Sequence, residues 1–258
     1  MTSNPFSLAG KVAVITGSSR GIGRAAAEVM AGQGASVVIS SRKAEACEAV
    51  VAQLAAAGHQ ALAVPAHAAR EADVERLIAA TLDRFGRIDI LVANAGINPS
   101  FDPLTDLPED SFNKIMEMNV SGPLRLARHG LPHVAKQGGA MVMTSSVNAV
   151  VGMKGSGAYG PSKAAVESMV RQLAVEWGEK GVRVNAVSPG TVRTDMIRAL
   201  SERPGFIDTI RAGTPLQRIA EPEDVGAVIA FLASNAARHM TGQVLTVDGG
   251  GLIMRGLA

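Results

Sequence analysis

Three residues between positions 144 and 163 carry side chains that together could transfer a proton. The segment reads T-S-S-V-N-A-V-V-G-M-K-G-S-G-A-Y-G-P-S-K and contains Ser146, Tyr159 and Lys163. Pro161 is typical of the first turn of a helix, and Tyr159 is the only tyrosine of the chain. Because residues four apart share one face of a helix, the ammonium of Lys163 is expected beside the phenol.

The chemistry of this segment depends on the pKa of the phenol. A free phenol has a pKa near ~10 and is a poor acid-base catalyst at neutral pH. A cation at roughly 4 Å is worth on the order of 4 kcal/mol near a protein surface, or about three pK units. We therefore expect Lys163 and the positive helix end to lower the pKa of Tyr159, with Ser146 donating to a substrate oxygen. Tyrosine and lysine four apart are also common in helices without catalytic function, so other motifs must support this interpretation.

A glycine-rich turn near the amino terminus indicates a phosphate-binding loop. A strand predicted over Lys11 to Thr16 leads into T-G-S-S-R-G-I-G, and a helix is predicted over Arg24 to Gln33. Gly17 allows the tight turn, Gly21 lets backbone approach a pyrophosphate, and Gly23 lets helix and strand pack closely. The predicted cofactor contacts in this loop are Gly17, Ser19, Arg20, Gly21, Ile22 and Gly23.

The end of the second predicted strand, Ser36 to Ser40, is where the adenosine ribose of a dinucleotide would lie. NAD sites usually place an acidic residue there, whereas this chain has Ser41, Arg42 and Lys43. Arg20 of the glycine loop adds a second cation, and guanidinium groups suit a 2′-phosphate. The sequence therefore favours NADP(H), with Ser41 and Arg42 as contacts, although Arg42 and Lys43 can also be read as solvated charges that open the next helix.

Two further loops follow predicted strands and are predicted to contact the same cofactor. A-N-A-G follows the strand Ile88 to Val92, and S-P-G-T-V-R-T follows the strand Val182 to Val187. Such loops at the carboxyl ends of strands bind ligands in parallel sheets. The backbone of Val192 and the hydroxyl of Thr194 suit a carboxamide. The predicted contacts are Asn94, Ala95, Gly96, Pro189, Gly190, Val192 and Thr194, besides Tyr159 and Lys163 themselves.

A proline within the helix predicted over Pro108 to Ala135 points to Asn119. Pro123 has no N–H, so it cannot pair with the carbonyl of Asn119 four residues earlier. A water held by that carbonyl could connect Lys163 to solvent as a proton relay. The alternative is a kinked core helix without a chemical role.

The alternation of strands and helices predicts an α/β fold, a doubly wound parallel sheet of about seven strands with helices on both faces. We expect one domain over 1–258, with a mobile helical lid around 194–213. The other predicted strands are Gln60 to Pro65, Ala140 to Thr144 and Val244 to Val247, and the other predicted helices are Ala44 to Ala57, Glu71 to Phe85, Ala164 to Gly178 and Glu221 to Ala233.

Composition narrows the possible partners and locations of the chain. The 25 basic and 23 acidic residues are interspersed, so no nucleic-acid or membrane-binding patch is expected. No apolar run approaches the ~20 residues of a membrane span, and residues 1–10 lack a signal pattern, so a cytoplasmic location is expected. The single Cys47 is interpreted as a bystander thiol, and no metal site is predicted.

These motifs together resemble the short-chain dehydrogenase/reductase family over nearly the whole chain. T-G-x-x-x-G-x-G, N-A-G, a mid-helix Asn, Ser, Y-x-x-x-K, P-G and D-G-G occur in the family's order. The resemblance implies a seven-stranded Rossmann-type fold, hydride transfer between a nicotinamide and a carbonyl or alcohol, and a homotetramer. It also implies a catalytic tetrad, Asn119, Ser146, Tyr159 and Lys163, in which Tyr159 protonates the carbonyl oxygen and Lys163 holds the nicotinamide ribose.

The chain departs from the family pattern at two positions. His67 stands where the family often has an aspartate that contacts the adenine, so the adenine contacts differ. We expect His67 to be a surface or adenine-edge residue and not a metal ligand. The family's N-N-A-G is A-N-A-G here, which leaves Asn94 to do what the pair would share.

Several functions remain open on the sequence. The leading hypothesis is an NADPH-dependent carbonyl reductase. A 3-oxoacyl-carrier-protein reductase would need a basic docking surface, for which Lys136 and Lys180 are candidates. A non-catalytic NADP-binding scaffold is disfavoured because it would not need Tyr159 and Lys163 in register. A sugar or polyol dehydrogenase is disfavoured by the apolar residues Val147, Val150, Val151 and Met153.

Overall fold

Seven parallel strands form one sheet within residues 4–100 and 102–254, which the computed structural model describes. The order across the sheet is β3-β2-β1-β4-β5-β6-β7, and every neighbouring pair is parallel. The predicted doubly wound α/β fold is confirmed. The strands are β1 Val12–Thr16, β2 Ser36–Ser40, β3 Ala61–Ala63, β4 Ile90–Ala93, β5 Ala140–Thr144, β6 Arg183–Pro189 and β7 Val244–Val247.

Helices connect the strands and cover both faces of the sheet. Short 3₁₀ turns lie at 104–106, 147–149, 195–197 and 235–237, and a π-helical turn spans Glu117–Ser121. The helices are α1 Gly21–Gly32, α2 Ala44–Ala56, α3 Glu71–Phe85, α4 Glu109–Met116, α5 Gly122–Ala135, α6 Tyr159–Gly178, α7 Arg198–Ser201, α8 Phe206–Ala212, α9 Pro222–Ala233 and α10 Gly251–Met254.

Alternation of side chains along the central strands builds one core on each face. In β1, Ala13 and Ile15 pack into the core beneath α1 and α9, whereas Val14 packs into the core beneath α3, α5 and α6. All five residues of β1 are buried. Burial on both faces explains why these strands read as continuous apolar runs in the sequence.

The strand order creates a crevice at the carboxyl edge of the sheet. The chain runs from β1 outward to β3 and then returns to place β4 on the other side of β1. The loops after β1 and β4 therefore diverge, which leaves a crevice at this switch point. The glycine loop after β1 and the A-N-A-G loop after β4 both border it.

The opposite, amino edge of the sheet buries a charge that is fully paired. Asp89, with no exposed surface, accepts hydrogen bonds from Arg87 Nε at 2.9 Å, the Val12 N–H at 2.9 Å and Lys11 Nζ at 3.2 Å. Burial by itself would raise the pKa of Asp89, but these three donors outweigh it and lower the pKa. The amino ends of β1 and β4 are thus tied together.

Several predicted boundaries differ from the structure. The predicted helix from Pro108 to Ala135 is interrupted by the π-turn, in which the Gly122 N–H donates to the Glu117 carbonyl. The helix predicted from Ala164 begins at Tyr159, five residues earlier than expected. The earlier start places Tyr159 and Lys163 within the helix.

Observed strand ends also differ from the predicted ones, because backbone pairing and not apolar content decides where a strand ends. The strand predicted over Gln60 to Pro65 spans only Ala61–Ala63, since β3 pairs on one side alone. The predicted lid contains the short helices α7 and α8. Across the part of the chain that the structure describes, no helix has the length and apolar character to cross a membrane.

Candidate active site

Tyr159 and Lys163 occupy the first two turns of α6, against the carboxyl end of β5. Lys163 Nζ donates to the Thr144 carbonyl at 2.8 Å and lies 5.6 Å from the centroid of the Tyr159 ring. Lys163 is buried, whereas Tyr159 keeps part of its surface exposed. The spacing of four residues thus places the cation beside the ring, as the sequence predicted.

Burial has the largest influence on the pKa values of Tyr159 and Lys163. It raises the pKa of Tyr159 above the ordinary phenol value, and a hydrogen bond with Ser146 opposes this rise. Burial also lowers the pKa of Lys163 to about 8. The expected lowering of the Tyr159 pKa by Lys163 is not found in this structure, where burial has the largest influence on that pKa and raises it. Tyr159 is accordingly protonated at neutral pH, as a proton donor must be.

Ser146 follows β5 and faces the same space as Tyr159. Its Oγ accepts the Asn148 N–H at 3.2 Å, which caps the short turn at 147–149. That contact uses an acceptor site of the hydroxyl and leaves its proton available to another oxygen. The residue is only 8% exposed.

Asn119 lies in the π-turn between α4 and α5 and is fully buried. Its Oδ1 accepts the Ile97 N–H at 2.8 Å, and its Nδ2 donates to the Ile97 carbonyl and to Ser162 Oγ, both at 3.0 Å. The side chain therefore ties the loop after β4 to α6. Because the side chain is occupied by these contacts, only the backbone carbonyl of Asn119 is left for the water predicted from Pro123.

The glycine loop leaves no room for side chains beneath it. A Cβ at Gly23 would lie 2.4 Å from Asn94 Nδ2 and 2.5 Å from the Gly17 carbonyl, and Gly17 itself has φ +67°. No side chain caps the amino end of α1, and its first turn has no acidic residue. These uncapped N–H groups and the helix dipole suit a pyrophosphate, so the loop fits a dinucleotide cofactor.

Asn94 is used mainly to join strands. Its Nδ2 donates to the Thr16 and Gly17 carbonyls at 3.2 Å, and its Oδ1 accepts from Thr144 Oγ1 at 3.3 Å. A Cβ at Gly96, two residues on, would lie 3.4 Å from Lys163 Nζ. Ala95, between Asn94 and Gly96, is half-buried, so this loop passes directly beside Lys163.

Ser41 and Arg42, which are predicted to bind the ribose phosphate, directly follow the last residue of β2. Arg42 is exposed after β2, while Ser41 Oγ lies 3.2 Å from the buried Cys47 Sγ. Burial, Arg70 and Arg42 lower the pKa of His67 below the ordinary imidazole value.

Arg20 forms a salt bridge that the sequence did not indicate. Its Nη1 pairs with Asp195 Oδ2 at 2.8 Å, and Asp195 also pairs with Arg198. The two residues are 175 positions apart, so no local pattern signals the contact. Arg20 therefore connects the glycine loop to the start of the lid.

The loop after β6 lies over the glycine loop. Gly190 has no space for a Cβ, which would lie 2.9 Å from Asp248 Cβ, and a Cβ at Gly21 would lie 3.2 Å from Thr194 Cγ2. Val192 is buried and forms a β-bridge with Ala220. Pro189 is the last residue of β6. The remaining loop contacts, Ser19 and Ile22, are half-buried beside Gly21.

A cavity of about 620 Å³ adjoins the site, between the 147–157 loop, the 103–104 segment and the start of α6. Its walls include the exposed side chains of Leu104, Val150 and Met153. Among the lining residues that the structure describes, Lys154 is the only charged one, and none of the four candidate catalytic residues contributes. The cavity is therefore a neighbour of the catalytic groups and not their immediate pocket.

A second cluster of ionisable groups lies between α3 and α5. Glu71, Glu75 and His129 bring one potential ligand atom each within 4.8 Å of one another. Glu71 is already bound by Arg125 and Arg128, and hydrogen bonds led by that from His129 lower its pKa to about 2. We interpret the cluster as a surface ion-pair network.

Comparisons with known proteins agree with this geometry. A family model described as "Enoyl-(Acyl carrier protein) reductase" matches residues 17–251. Dehydrogenase/reductase SDR family member 4 of Bos taurus is 38% identical over 243 residues, covering 94% of this chain and 87% of that protein. The chain belongs to the short-chain dehydrogenase/reductase family. It is therefore an oxidoreductase of CH–OH and C=O groups that binds a nicotinamide cofactor.

Two solved structures are similar to this member of the family over almost their full length. A 7α-hydroxysteroid dehydrogenase complexed with NADH and 7-oxo glycochenodeoxycholic acid has a TM-score of 0.93 at 35% identity, covering 97% of this chain and 98% of that chain. A gluconate 5-dehydrogenase of Burkholderia cenocepacia J2315 in complex with NADP and tartrate has a TM-score of 0.92 at 31% identity, covering 96% and 98%. The two carry different nicotinamide cofactors.

Proposed function

We propose that the protein is an NADPH-dependent carbonyl reductase that uses Asn119, Ser146, Tyr159 and Lys163. The observation that carries the proposal is the convergence of Tyr159, Lys163 and Ser146 at the carboxyl end of β5, beside a glycine loop that fits a dinucleotide. Buried ionisable groups with shifted pKa values next to a cofactor crevice are typical of catalytic sites.

Each residue has a separate task in the proposed reaction. The bound nicotinamide supplies the hydride to the carbonyl carbon. Tyr159 donates its proton to the carbonyl oxygen, and the Ser146 hydroxyl donates a hydrogen bond to the negative charge that develops there. Lys163 holds the cofactor ribose, and a water on the Asn119 carbonyl returns a proton towards Tyr159.

The preference for NADPH rests on charges beside β2. Arg42 is exposed after the strand, and the position after it is Lys43, so no carboxylate occupies the place of the ribose 2′-hydroxyl. Arg20 supports the same end of the cofactor once it exchanges Asp195 for phosphate.

The substrate class follows from the apolar loop beside the site. Val150 and Met153 are 63% and 43% exposed, next to Leu104 at 53%. Such surfaces bind hydrophobic ligands better than polyols. We therefore propose a ketone with a bulky apolar ring or chain, and the 7-oxo steroid of the similar structure is of this kind.

A 3-oxoacyl-carrier-protein reductase is the alternative within the same chemistry. The description of the matching family model also names an acyl carrier protein. The docking residues that the sequence offered do not support it. Lys136 and Lys180 follow the carboxyl ends of α5 and α6, whereas Tyr159 begins α6. With 20 residues in α6, the two ends are roughly 30 Å apart.

The test is NADPH consumption at 340 nm with an alicyclic ketone, a diketone and a short 3-oxoacyl thioester, using Tyr159→Phe as the blank. Reduction of the ketone by the native protein and none by the variant supports the proposal. Turnover of the thioester alone would favour the acyl-carrier alternative. Equal rates for native protein and variant would contradict the assignment of Tyr159.

We also propose a homotetramer, as the family resemblance implies. The outer face of α6 and α5 supports an interface, since Val175 is 78% exposed and Leu124 is 40% exposed. Light scattering on the purified protein tests this, with a mass of about four times 26.6 kDa expected. A monomer mass would contradict the proposal.

A further inference from the structure

A buried carboxylate lies one helical turn beyond Lys163 and has no task in the proposed reaction. Glu167 is 8% exposed, and its Oε1 accepts a hydrogen bond from Ser145 Oγ at 2.8 Å. Tyr159, Lys163 and Glu167 are spaced by four residues and therefore form one line along α6. Ser145 is the neighbour of Ser146.

Two consecutive residues at the end of β5 hold this line of side chains. The Thr144 carbonyl accepts from Lys163 Nζ at 2.8 Å. Ser145 Oγ contacts both Glu167 Oε1 and, at 3.4 Å, the Lys163 carbonyl, while the Ser145 N–H donates to the Val187 carbonyl at 2.7 Å. Ser145 is thus the point where β5, β6 and α6 meet.

We propose that Glu167 is a positioning residue, which fixes Ser145 and thereby the distance between the hydroxyls of Ser146 and Tyr159. The inference rests on the proposed function, in which those hydroxyls act on one oxygen atom. Ser146 lies in the segment that follows β5, whereas Tyr159 lies in α6. A slide of α6 along β5 separates them, and the Ser145–Glu167 bond opposes that slide.

The chemistry of the contact explains why a carboxylate is used there. Burying a carboxylate is unfavourable unless it is hydrogen-bonded, and an apolar residue would fill the same space. Glu167 therefore gives directional restraint that packing by itself does not give.

The experiment compares Glu167→Gln with Glu167→Met in the full chain. Glutamine keeps an oxygen that accepts from Ser145, while methionine has a similar volume and no such oxygen. Glu176→Met is the matched control, because Glu176 is exposed on the same helix. Thermal unfolding of all variants reports whether stability changes as well.

The first readout needs no substrate. Tyr159 is the only tyrosine, so tyrosinate absorbance near 295 nm reports its ionisation alone. The hydrogen bond from Ser146 lowers the pKa of Tyr159. Lys163 faces the ring and is unchanged in every variant. We expect the midpoint to rise by at least ~0.5 unit in Glu167→Met and to match the native protein in Glu167→Gln and Glu176→Met.

The second readout is steady-state reduction. We expect Glu167→Met to lower kcat about tenfold, with KM for NADPH unchanged, and Glu167→Gln to restore kcat. Native titration and kcat in Glu167→Met would overturn the inference. So would equal losses in both Glu167 variants, since these would mean that charge or stability, not the hydrogen bond, matters. Failure of the proposed function is distinguished by Tyr159→Phe, which would then retain turnover.

Discussion

The two edges of the sheet both bury ionisable groups, but they treat them differently. At the amino edge, Asp89 has donors from Arg87, Lys11 and the Val12 backbone, and its pKa is lowered. At the carboxyl edge, Lys163 donates to one neutral carbonyl, and burial lowers its pKa to about 8. Folding therefore favours the charged form of Asp89 and disfavours the charged form of Lys163.

We interpret this difference as one between a stabilising site and a candidate functional site. A buried charge with a full set of partners strengthens the fold, and its removal leaves those partners unpaired. A buried charge without an opposite charge remains costly until a ligand or reaction uses it. Tyr159 belongs with Lys163, since burial moves its pKa away from the ordinary value in the direction of the neutral form. The following predictions test this contrast.

The largest effect is expected for Tyr159→Phe. Removing one hydroxyl removes the proton donor, so turnover should fall by about 10³- to 10⁴-fold, while the ring still fills its place. NADPH binding, followed by its fluorescence, should not change. Loss of NADPH binding together with turnover would show that Tyr159 supports the site instead of donating a proton.

Asp89→Ala should affect the fold and not the chemistry. It leaves three donors unpaired at the amino edge, so the free energy of unfolding should fall by about 3–5 kcal/mol, with kcat per folded molecule unchanged. Urea denaturation measures this, with the exposed Asp83→Ala as the control. Since the pKa of Asp89 is lowered by folding, its contribution is present above pH ~4 and is lost as the pH falls further. A loss as small as that of the control would contradict the account.

Lys163→Met should have the opposite effect on stability. The pKa of Lys163 is about 8 in the fold and 10.5 in the unfolded chain, so the unfolded chain binds the proton more tightly. Stability of the native protein therefore rises between pH 8 and pH 10.5. Removing the amine should raise stability at pH 7 by about 1–3 kcal/mol, with a smaller gain near pH 10.5, and lower turnover. A less stable variant at pH 7 would mean that Lys163 is well paired.

The smallest effect is expected for Arg42, an exposed residue after β2. Arg42→Ala should raise KM for NADPH about tenfold and leave KM for NADH unchanged, because only NADPH has the 2′-phosphate. Lys43→Ala, one residue on and also exposed, is the control. An equal change for both cofactors would contradict the proposed phosphate contact.

Much of the fold could be predicted from the sequence because its signals are local. The helix Glu71–Phe85 and the strand Ala140–Thr144 have the predicted ends, since each is bounded by clear turn or charge patterns. The π-turn around Asn119 could not be predicted, because Pro123 signals a disruption but not which hydrogen bond replaces the lost one.

In the candidate site, too, local features could be predicted from the sequence and long-range contacts could not. The spacing of Tyr159 and Lys163 is a local property, and the structure places the two side by side. Their pKa values depend on burial by residues distant in sequence, so the predicted direction for Tyr159 was wrong. The contacts of Ser145 with Glu167 and of Arg20 with Asp195 bridge separate elements and carry no local pattern.

The most direct test of the contrast between the edges is the ultraviolet titration of the native protein, which follows Tyr159 as the sole tyrosine. The account predicts a midpoint above 10, so that Tyr159 holds its proton at neutral pH and can donate it to a carbonyl oxygen. A midpoint at or below about 8 would mean a phenolate at neutral pH and would contradict both the buried, uncompensated site and the role of Tyr159 as the acid.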